Sequence, residues 1–236
     1  MGGKVFFAVP FYREPKCLPF ISSFEGAVKL FKDNGYETHA GVCIGDSFIQ
    51  RARAKLVKQF MDSGCDFLLF LDDDMSWDPK DLLRLTEIPG KIVAGVYRLK
   101  VEPDVEAYPN GINKDSDGLP ICRNDGCISA WGVSTGFMKI ERTVFEKLIK
   151  AYPEKEYYGK KGGLKIDQHY DLFPQGVYNK QWLGEDYSFC RLWTDIGGEI
   201  WVKPDIDFIH YSKQAEYPGN YHEYLMKLPG GINYKE

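Results

Sequence analysis

The chain has 236 residues, of which 44% are hydrophobic and 27% are charged. This balance is typical of a globular protein with a buried core, and the length favours one α/β domain over two small ones. A net charge of −4 argues against a basic surface that would neutralise nucleic-acid phosphates, so we expect no nucleic-acid partner. No apolar run reaches the roughly 18 residues of a membrane-spanning helix, and we expect no transmembrane segment.

Strands and helices alternate through the first hundred residues. Apolar runs predict strands at residues 4–9, 36–44, 66–71 and 91–97. Helical patterns fill residues 18–31 and 47–62, with Ser47 as a candidate N-cap, and a short helix begins at Pro79. The first strand is too short for a secretory signal. This order predicts a mostly parallel central sheet with helices on both of its faces.

The pattern changes after residue 100. Residues 115–118 are typical of a hairpin turn, 128–140 are extended, and 141–150 and 185–196 are helical, with short strands at 199–202 and 206–209. Residues 151–180 are rich in Tyr, Gly, Lys and Pro without a period, which predicts a mobile flap. The alternative is a well-packed excursion of the chain that only covers the sheet. The six cysteines lack the spacing of a zinc or redox motif, and we expect them to be reduced.

Three consecutive carboxylates, Asp72, Asp73 and Asp74, follow the most apolar predicted strand. Ligands of open α/β sheets bind at the carboxyl ends of strands, so these acids are expected at the functional edge. Adjacent carboxylates repel one another, and a cation would compensate. Mn²⁺ or Mg²⁺ bridging to phosphate oxygens suits such hard ligands. The other interpretation is an acidic cap for the helix at Pro79, but Asp78 already fills that position.

Arg53 lies on the apolar stripe of its predicted helix, with Ala52 and Leu56. An arginine on a buried stripe, in the helix that leads into the strand before the three acids, is expected to meet a carboxylate or a phosphate. An ion pair with one of the three aspartates and direct contact with a ligand are equally compatible with this position.

Glu185 and Asp186 open the helix 185–196, directly after Trp182 and Gly184. Acids in a first turn stabilise the helix dipole, which is the ordinary interpretation. Asp186 is nevertheless one turn before Phe189 and is therefore directed inward, where it can act as a general base toward an acceptor hydroxyl.

His210 ends the last predicted strand, and the chain has only four histidines. A single histidine is usually structural. At the end of a strand it can also complete a metal shell.

Several segments together resemble GT-A-fold glycosyltransferases. They are residues 51–57 with 67–79, Val-Pro-Phe-Tyr at 9–12, Gly-Val-Ser-Thr-Gly-Phe-Met at 132–138, Gly-Glu-Asp-Tyr-Ser-Phe-Cys at 184–190, and His210. The likeness is strongest to the compact family-2-like enzymes of bacteria, phages and large viruses. Each segment is weak alone, but they occur in the family's order and cover about residues 4–211.

The resemblance implies one Rossmann-like domain over residues 1–236. A nucleotide-sugar-binding half would reach to about residue 100, an acceptor and catalytic half with a small antiparallel part would cover about 101–211, and a tail would follow over 212–236. It also implies a cytoplasmic enzyme, of a bacterium or a virus-infected cell. This enzyme would use Mn²⁺ or Mg²⁺, a UDP- or GDP-sugar donor, and a glycan or glycoprotein acceptor.

The resemblance also assigns roles to individual residues. Those on the donor side would be Pro10, Phe11 and Tyr12 at the base, Asp72 toward the ribose, Asp73, Arg53 and Lys100. Metal ligands would be Asp74, Asp72 and His210, acceptor residues Gly136 and Trp182, and catalytic residues Asp186 as base with Glu185 beside it. The chain departs from the family at Ala54, where Asn is frequent, and at Arg98, where Pro is frequent.

These observations favour inverting transfer, in which Asp186 deprotonates the acceptor. A retaining glycosyltransferase on the same fold would need the same acids and metal. A phosphohydrolase with an Asp-x-Asp motif normally carries it after the first strand, whereas here it follows the third. A non-catalytic sugar-binding module would not require three acids at the end of a strand.

Overall fold

The computed structural model describes residues 2–12, 17–102, 104–109, 111–161 and 164–228. In these ranges the helices are α1 (Leu18–Asp33), α2 (Ile49–Ser63), α3 (Pro79–Glu87), α4 (Arg142–Ala151), α5 (Glu185–Asp195) and α6 (Tyr221–Lys227). No helix of this part of the chain has both the length and the apolar character needed to cross a bilayer.

The strands alternate with these helices in the first half and dominate the second. In chain order they are β1 (Lys4–Phe11), β2 (Glu37–Ile44), β3 (Phe67–Leu71), β4 (Met75–Trp77), β5 (Ile92–Gly95), β6 (Gly111–Ile112), β7 (Ile128–Gly132), β8 (Phe137–Glu141), β9 (Glu156–Lys161), β10 (Leu164–Tyr170), β11 (Gly176–Tyr178), β12 (Gln181–Leu183), β13 (Ile200–Lys203), β14 (Asp207–Tyr211) and β15 (Glu216–Asn220).

An eight-stranded central sheet has the order β2-β1-β3-β8-β5-β13-β7-β6. Its strands all point the same way except β7 and β8, because β8 pairs antiparallel with both β3 and β5, and β7 pairs antiparallel with β13. The expected mostly parallel α/β sheet is therefore confirmed. The sequence did not predict that β8, from the second half of the chain, lies between β3 and β5.

Helices cover both faces of this sheet, as expected. The strands at its centre are buried on both faces and are almost wholly apolar for that reason. One core contains the apolar stripes of α1 and α3, through Phe20, Ala27, Phe31, Leu82 and Leu85. The other contains those of α2, α4 and α5, through Leu56, Phe60, Phe145, Phe189 and Trp193.

A three-stranded antiparallel sheet, β15-β14-β4, lies beyond the end of β3. Since β4 begins at Met75, the acids at 72–74 form the connection between the two sheets. Asp72 donates its backbone N–H to the Gly136 carbonyl at 2.9 Å, and Tyr211 donates its N–H to the Asp74 carbonyl at 2.7 Å. Both ends of the acidic segment are therefore fixed by backbone hydrogen bonds.

The structure corrects two expectations about local structure, for residues 151–180 and for Ser47. Residues 151–180 are not irregular: β9 and β10 form a hairpin, β11 begins a second one with β12, and Leu172 and Phe173 are fully buried. Residues 162–163 of this segment lie outside the described residues. Ser47 does not cap α2, whose N-cap is Phe48 without a side-chain bond. The tail contains β15 and α6 up to residue 227, and 229–236 lie outside the described residues.

Candidate active site

Arg53 joins the first acid to the helix that carries the candidate base. Its Nη2 donates to Asp72 Oδ1 at 3.0 Å, and its Nε lies 3.5 Å from Glu185 Oε1. The side chain is only 3% exposed, and the guanidinium lies over the Phe70 ring, 5.1 Å from its centroid. Burial opposes the charge of Arg53, but the Asp72 and Glu185 carboxylates raise its pKa overall. The ion pair with an aspartate, one of the two expected partners, is present.

Asp74 is in contact with the side chains of Lys100 and His210. Its Oδ2 accepts from the Lys100 ammonium, and its Oδ1 lies 3.3 Å from His210 Nε2. Burial alone would raise the pKa of Asp74, but the hydrogen bonds and charges of His210 and Lys100 hold it below its usual range. The structure therefore brings together Asp74, His210 and Lys100, three residues that the resemblance assigned to the metal or to the donor.

The tautomer of His210 follows from its other ring nitrogen. Nδ1 lies 2.8 Å from the Arg98 carbonyl oxygen, which can only accept, so Nδ1 carries the hydrogen. In the neutral ring Nε2 then presents a lone pair toward the Asp74 carboxylate. Two electron-pair donors at 3.3 Å need a proton or a cation between them. A carboxylate and an imidazole held in this way are suitable ligands for Mn²⁺.

Asp72 is placed differently from the other two candidate metal ligands, because its carboxylate faces Arg53. Within the described ranges no group of three or more His, Cys, Asp or Glu side chains is positioned to hold a metal ion. Ions that bind through one or two carboxylates and through substrate phosphates need no such group. Asp74 and His210 fit a cation site of that kind.

Asp73 differs from Asp74 in that its pKa is raised. Burial and the neighbouring charges of Asp74 and Asp72 raise its pKa to about 6. The repulsion expected from the sequence is therefore present, and a bound cation would relieve it.

Gly136 lies against the acidic segment. A Cβ atom at this position would be 2.3 Å from Asp72 Oδ2 and 2.4 Å from the Tyr97 hydroxyl. Tyr97 is buried, its hydroxyl is 3.5 Å from Asp72 Oδ2, and its ring packs edge-on against His210 with centroids 5.0 Å apart. Gly136 was predicted beneath the acceptor. Its contacts in the structure are with Asp72 and Tyr97.

Asp186 lies beside Glu185 in the first turn of α5, and both acids are partly buried. Its Oδ1 accepts from the Tyr187 backbone N–H at 2.8 Å. Burial and the adjacent Glu185 carboxylate raise the pKa of Asp186 to about 6, although Arg53 opposes the shift. A carboxylate with this pKa is deprotonated at neutral pH and is a stronger base than an exposed aspartate.

Trp182 is 68% exposed and lies opposite Val177 on the β11–β12 hairpin, which leads directly into α5. Its ring is therefore open to a ligand, on the segment that precedes Asp186. An exposed aromatic face of this kind suits stacking against a sugar ring.

Pro10, Phe11 and Tyr12 line a cavity of about 220 Å³ at the carboxyl end of β1. Asp46, Phe48 and Gln175, which the sequence motifs did not indicate, also line this cavity. The Asp46 carboxylate is ion-paired with Arg51 and Lys55, both at 2.8 Å. Only the buried position of Asp46, which the sequence does not reveal, marks it as different from an ordinary loop residue.

Comparison with known proteins identifies no family. No family model matches the chain, and no curated protein matches it. Among solved structures it is similar to the crystal structure of GalNAc-T7 with UDP, GalNAc and Mn²⁺, with 11% identity, a TM-score of 0.48, and coverage of 88% of this chain and 44% of that one. It therefore spans less than half of that protein.

A second similar structure is a glycosyltransferase involved in the glycosylation of the major capsid of PBCV-1. Identity is 10%, the TM-score is 0.34, and 67% of this chain and 71% of that chain are covered. Likenesses at this level carry no argument about the chemistry of the present chain. The function must be argued from its own residues.

Proposed function

We propose that the protein is a metal-dependent glycosyltransferase that moves a sugar from a UDP- or GDP-sugar to a hydroxyl of a glycan or glycoprotein. The observation that carries this proposal is the pairing of two sites. Lys100 and His210 both contact the Asp74 carboxylate at the end of β3, where they would hold a cation and a diphosphate, and Asp186 is a carboxylate with a raised pKa on the adjoining α5. Arg53 connects the two through Asp72 and Glu185.

On the donor side, the cavity at Pro10, Phe11 and Tyr12 would accept the base, and the acids after β3 would accept the ribose and the cation. Asp74 and His210 would hold Mn²⁺ or Mg²⁺, which when bound neutralises the departing diphosphate. Lys100 is the nearby cation for the same anion, since a lysine ammonium binds phosphate as a point charge.

On the acceptor side, Trp182 would support a sugar ring and Asp186 would take the proton of the attacking hydroxyl. The acceptor oxygen forms a bond with the anomeric carbon from the face opposite the diphosphate. The bond from that carbon to the diphosphate oxygen breaks, and its electron pair leaves with the nucleotide. This step inverts the anomeric configuration, and Asp186 is left protonated.

A thermal-stability screen tests the donor assignment. UDP- and GDP-sugars are added with and without Mn²⁺, because a ligand that binds only the folded state raises its stability by mass action. We expect stabilisation by one nucleotide class that requires Mn²⁺, followed by transfer with an inverted anomeric centre on NMR. A retained centre contradicts the role of Asp186 as base. The absence of stabilisation by any nucleotide sugar contradicts the whole proposal.

All six cysteines are free. This supports the further proposal of a reducing, cytoplasmic compartment.

A further inference from the structure

The Lys100 ammonium contacts Asp74, the carboxylate that the proposed metal would bind. Each oxygen of Asp74 has one partner, Lys100 on Oδ2 and His210 on Oδ1. The Asp74 side chain is 42% exposed and that of Lys100 is 27% exposed, so the pair lies at the water boundary where a dissolved ion can reach it.

The backbone that leads to Lys100 is fixed, whereas its side chain can move. Tyr97 is buried against His210, and the Arg98 carbonyl accepts from His210 Nδ1. Leu99 donates its N–H to the Ala107 carbonyl at 2.8 Å. Beyond these anchors Lys100 has a four-carbon stem with several rotatable bonds. Its ammonium can therefore change partners without a rearrangement of the fold.

We infer that Lys100 is the resident counter-ion of the metal site and that it exchanges partners during the binding cycle. In the absence of a divalent ion its ammonium neutralises Asp74. When the ion binds Asp74 and His210, its positive charge repels the Lys100 ammonium, and the ammonium moves to the donor diphosphate. This inference rests on the proposed function for the identity of the metal site and of the diphosphate.

The exchange couples the two ligands. Metal binding releases Lys100 for the diphosphate, and a diphosphate that engages Lys100 frees Asp74 for the metal. Because such coupling is reciprocal, each ligand raises the affinity for the other by the same factor. Lys100 therefore lowers the affinity of the free protein for the metal and raises the affinity of the metal-loaded protein for the diphosphate.

The first test is calorimetric titration of the protein with Mn²⁺ alone. Lys100→Met removes the competing charge and keeps the length of the side chain. We expect it to bind Mn²⁺ about tenfold more tightly than the wild type, the lower end of what one neighbouring charge does to a carboxylate. Lys29→Met removes an equal charge from the exposed Lys29–Asp33 pair on α1 and should bind Mn²⁺ as the wild type does. Unchanged, weaker or undetectable binding to Lys100→Met overturns the inference.

The second test is titration with UDP and with GDP at saturating Mn²⁺. The nucleotide that binds the wild type should bind Lys100→Met about tenfold more weakly, the value of one hydrogen bond to a charged group. Equal or tighter binding overturns the transfer of Lys100 to the diphosphate.

The two proposals fail in different ways. If Asp74→Asn binds Mn²⁺ as well as the wild type, the metal site and the inference fall together. If Lys100→Met binds Mn²⁺ and nucleotide as expected but the wild type transfers no sugar, the inference stands and the proposed activity falls.

Discussion

Asp186→Asn should stabilise the folded protein while it abolishes sugar transfer. The folded environment raises the pKa of Asp186 from 3.8 to about 6, first through burial and then through the charge of Glu185. The ionised form is therefore less favourable in the folded state than in the unfolded chain. Asparagine is nearly isosteric, carries no charge, and retains an oxygen that can accept the Tyr187 N–H.

The size of the effect follows from the shift. A change of about two pKa units corresponds to about 3 kcal/mol, and partial solvation of the side chain reduces this to about 2 kcal/mol. Between the ordinary pKa and about 6 the folded state holds a proton that the unfolded chain has lost. Stability of the wild type therefore falls as the pH rises through this window, and the full penalty is present above it.

Urea denaturation at pH 4, 5, 6, 7 and 8 measures the difference in free energy of unfolding. The gain of Asp186→Asn over the wild type should be about 2 kcal/mol at pH 7 and 8 and should disappear toward pH 4. Asp33→Asn, at the exposed partner of Lys29, should show no such gain. A gain that is absent, or one that does not depend on pH, would show that the folded environment does not raise the pKa of Asp186.

Three further outcomes can be measured. Gly136→Ala places a Cβ atom 2.3 Å from Asp72 Oδ2, and should lower the free energy of unfolding by about 1–3 kcal/mol in denaturation. It should also weaken Mn²⁺-dependent nucleotide binding in calorimetry, and wild-type values for both would contradict the prediction. Phe173→Ala removes a fully buried ring stacked at 4.7 Å on Phe189, and should lower the free energy of unfolding by about 3–5 kcal/mol. Leu164 is 73% exposed, so Leu164→Ala should lower it by less than about 0.5 kcal/mol, and similar losses for the two variants would contradict the prediction. The β9–β10 hairpin should exchange its amide hydrogens faster than β3 and slow down when Mn²⁺ and nucleotide are added, whereas core-like protection without ligand would contradict a flap.

The parts of the fold that the sequence predicted depend on local pattern. Strands such as β3 are continuous apolar runs because both of their faces are buried, and that pattern is visible without the structure. The position of Asp72, Asp73 and Asp74 at the end of β3 followed in the same way. Arg53 was predicted to meet a carboxylate or a phosphate because it interrupts an apolar helical stripe, and the sequence did not decide between them.

The parts that the sequence did not predict depend on contacts between distant residues. The insertion of β8 between β3 and β5 is decided by which strand edges meet, and this leaves no local signal. The strands β9 and β10 are rich in Tyr, Gly and Lys and show no regular apolar alternation. Strand faces that are exposed to solvent need no apolar residues, so the sequence pattern did not predict these two strands. No sequence pattern marks Asp46, because its carboxylate is buried and paired with Arg51 and Lys55 only in the folded chain.

Donor turnover by Asp74→Ala with Mn²⁺ decides whether the end of β3 carries a metal-dependent transferase site. Nucleotide release from the preferred nucleotide sugar is measured with and without a chelator, and Asp33→Ala is the control for a lost carboxylate away from the site. We predict that the wild type and Asp33→Ala release nucleotide only in the presence of the metal and that Asp74→Ala releases none. Full activity of the wild type in excess chelator, or of Asp74→Ala with Mn²⁺, would contradict the assignment of a metal-dependent transferase site at the end of β3.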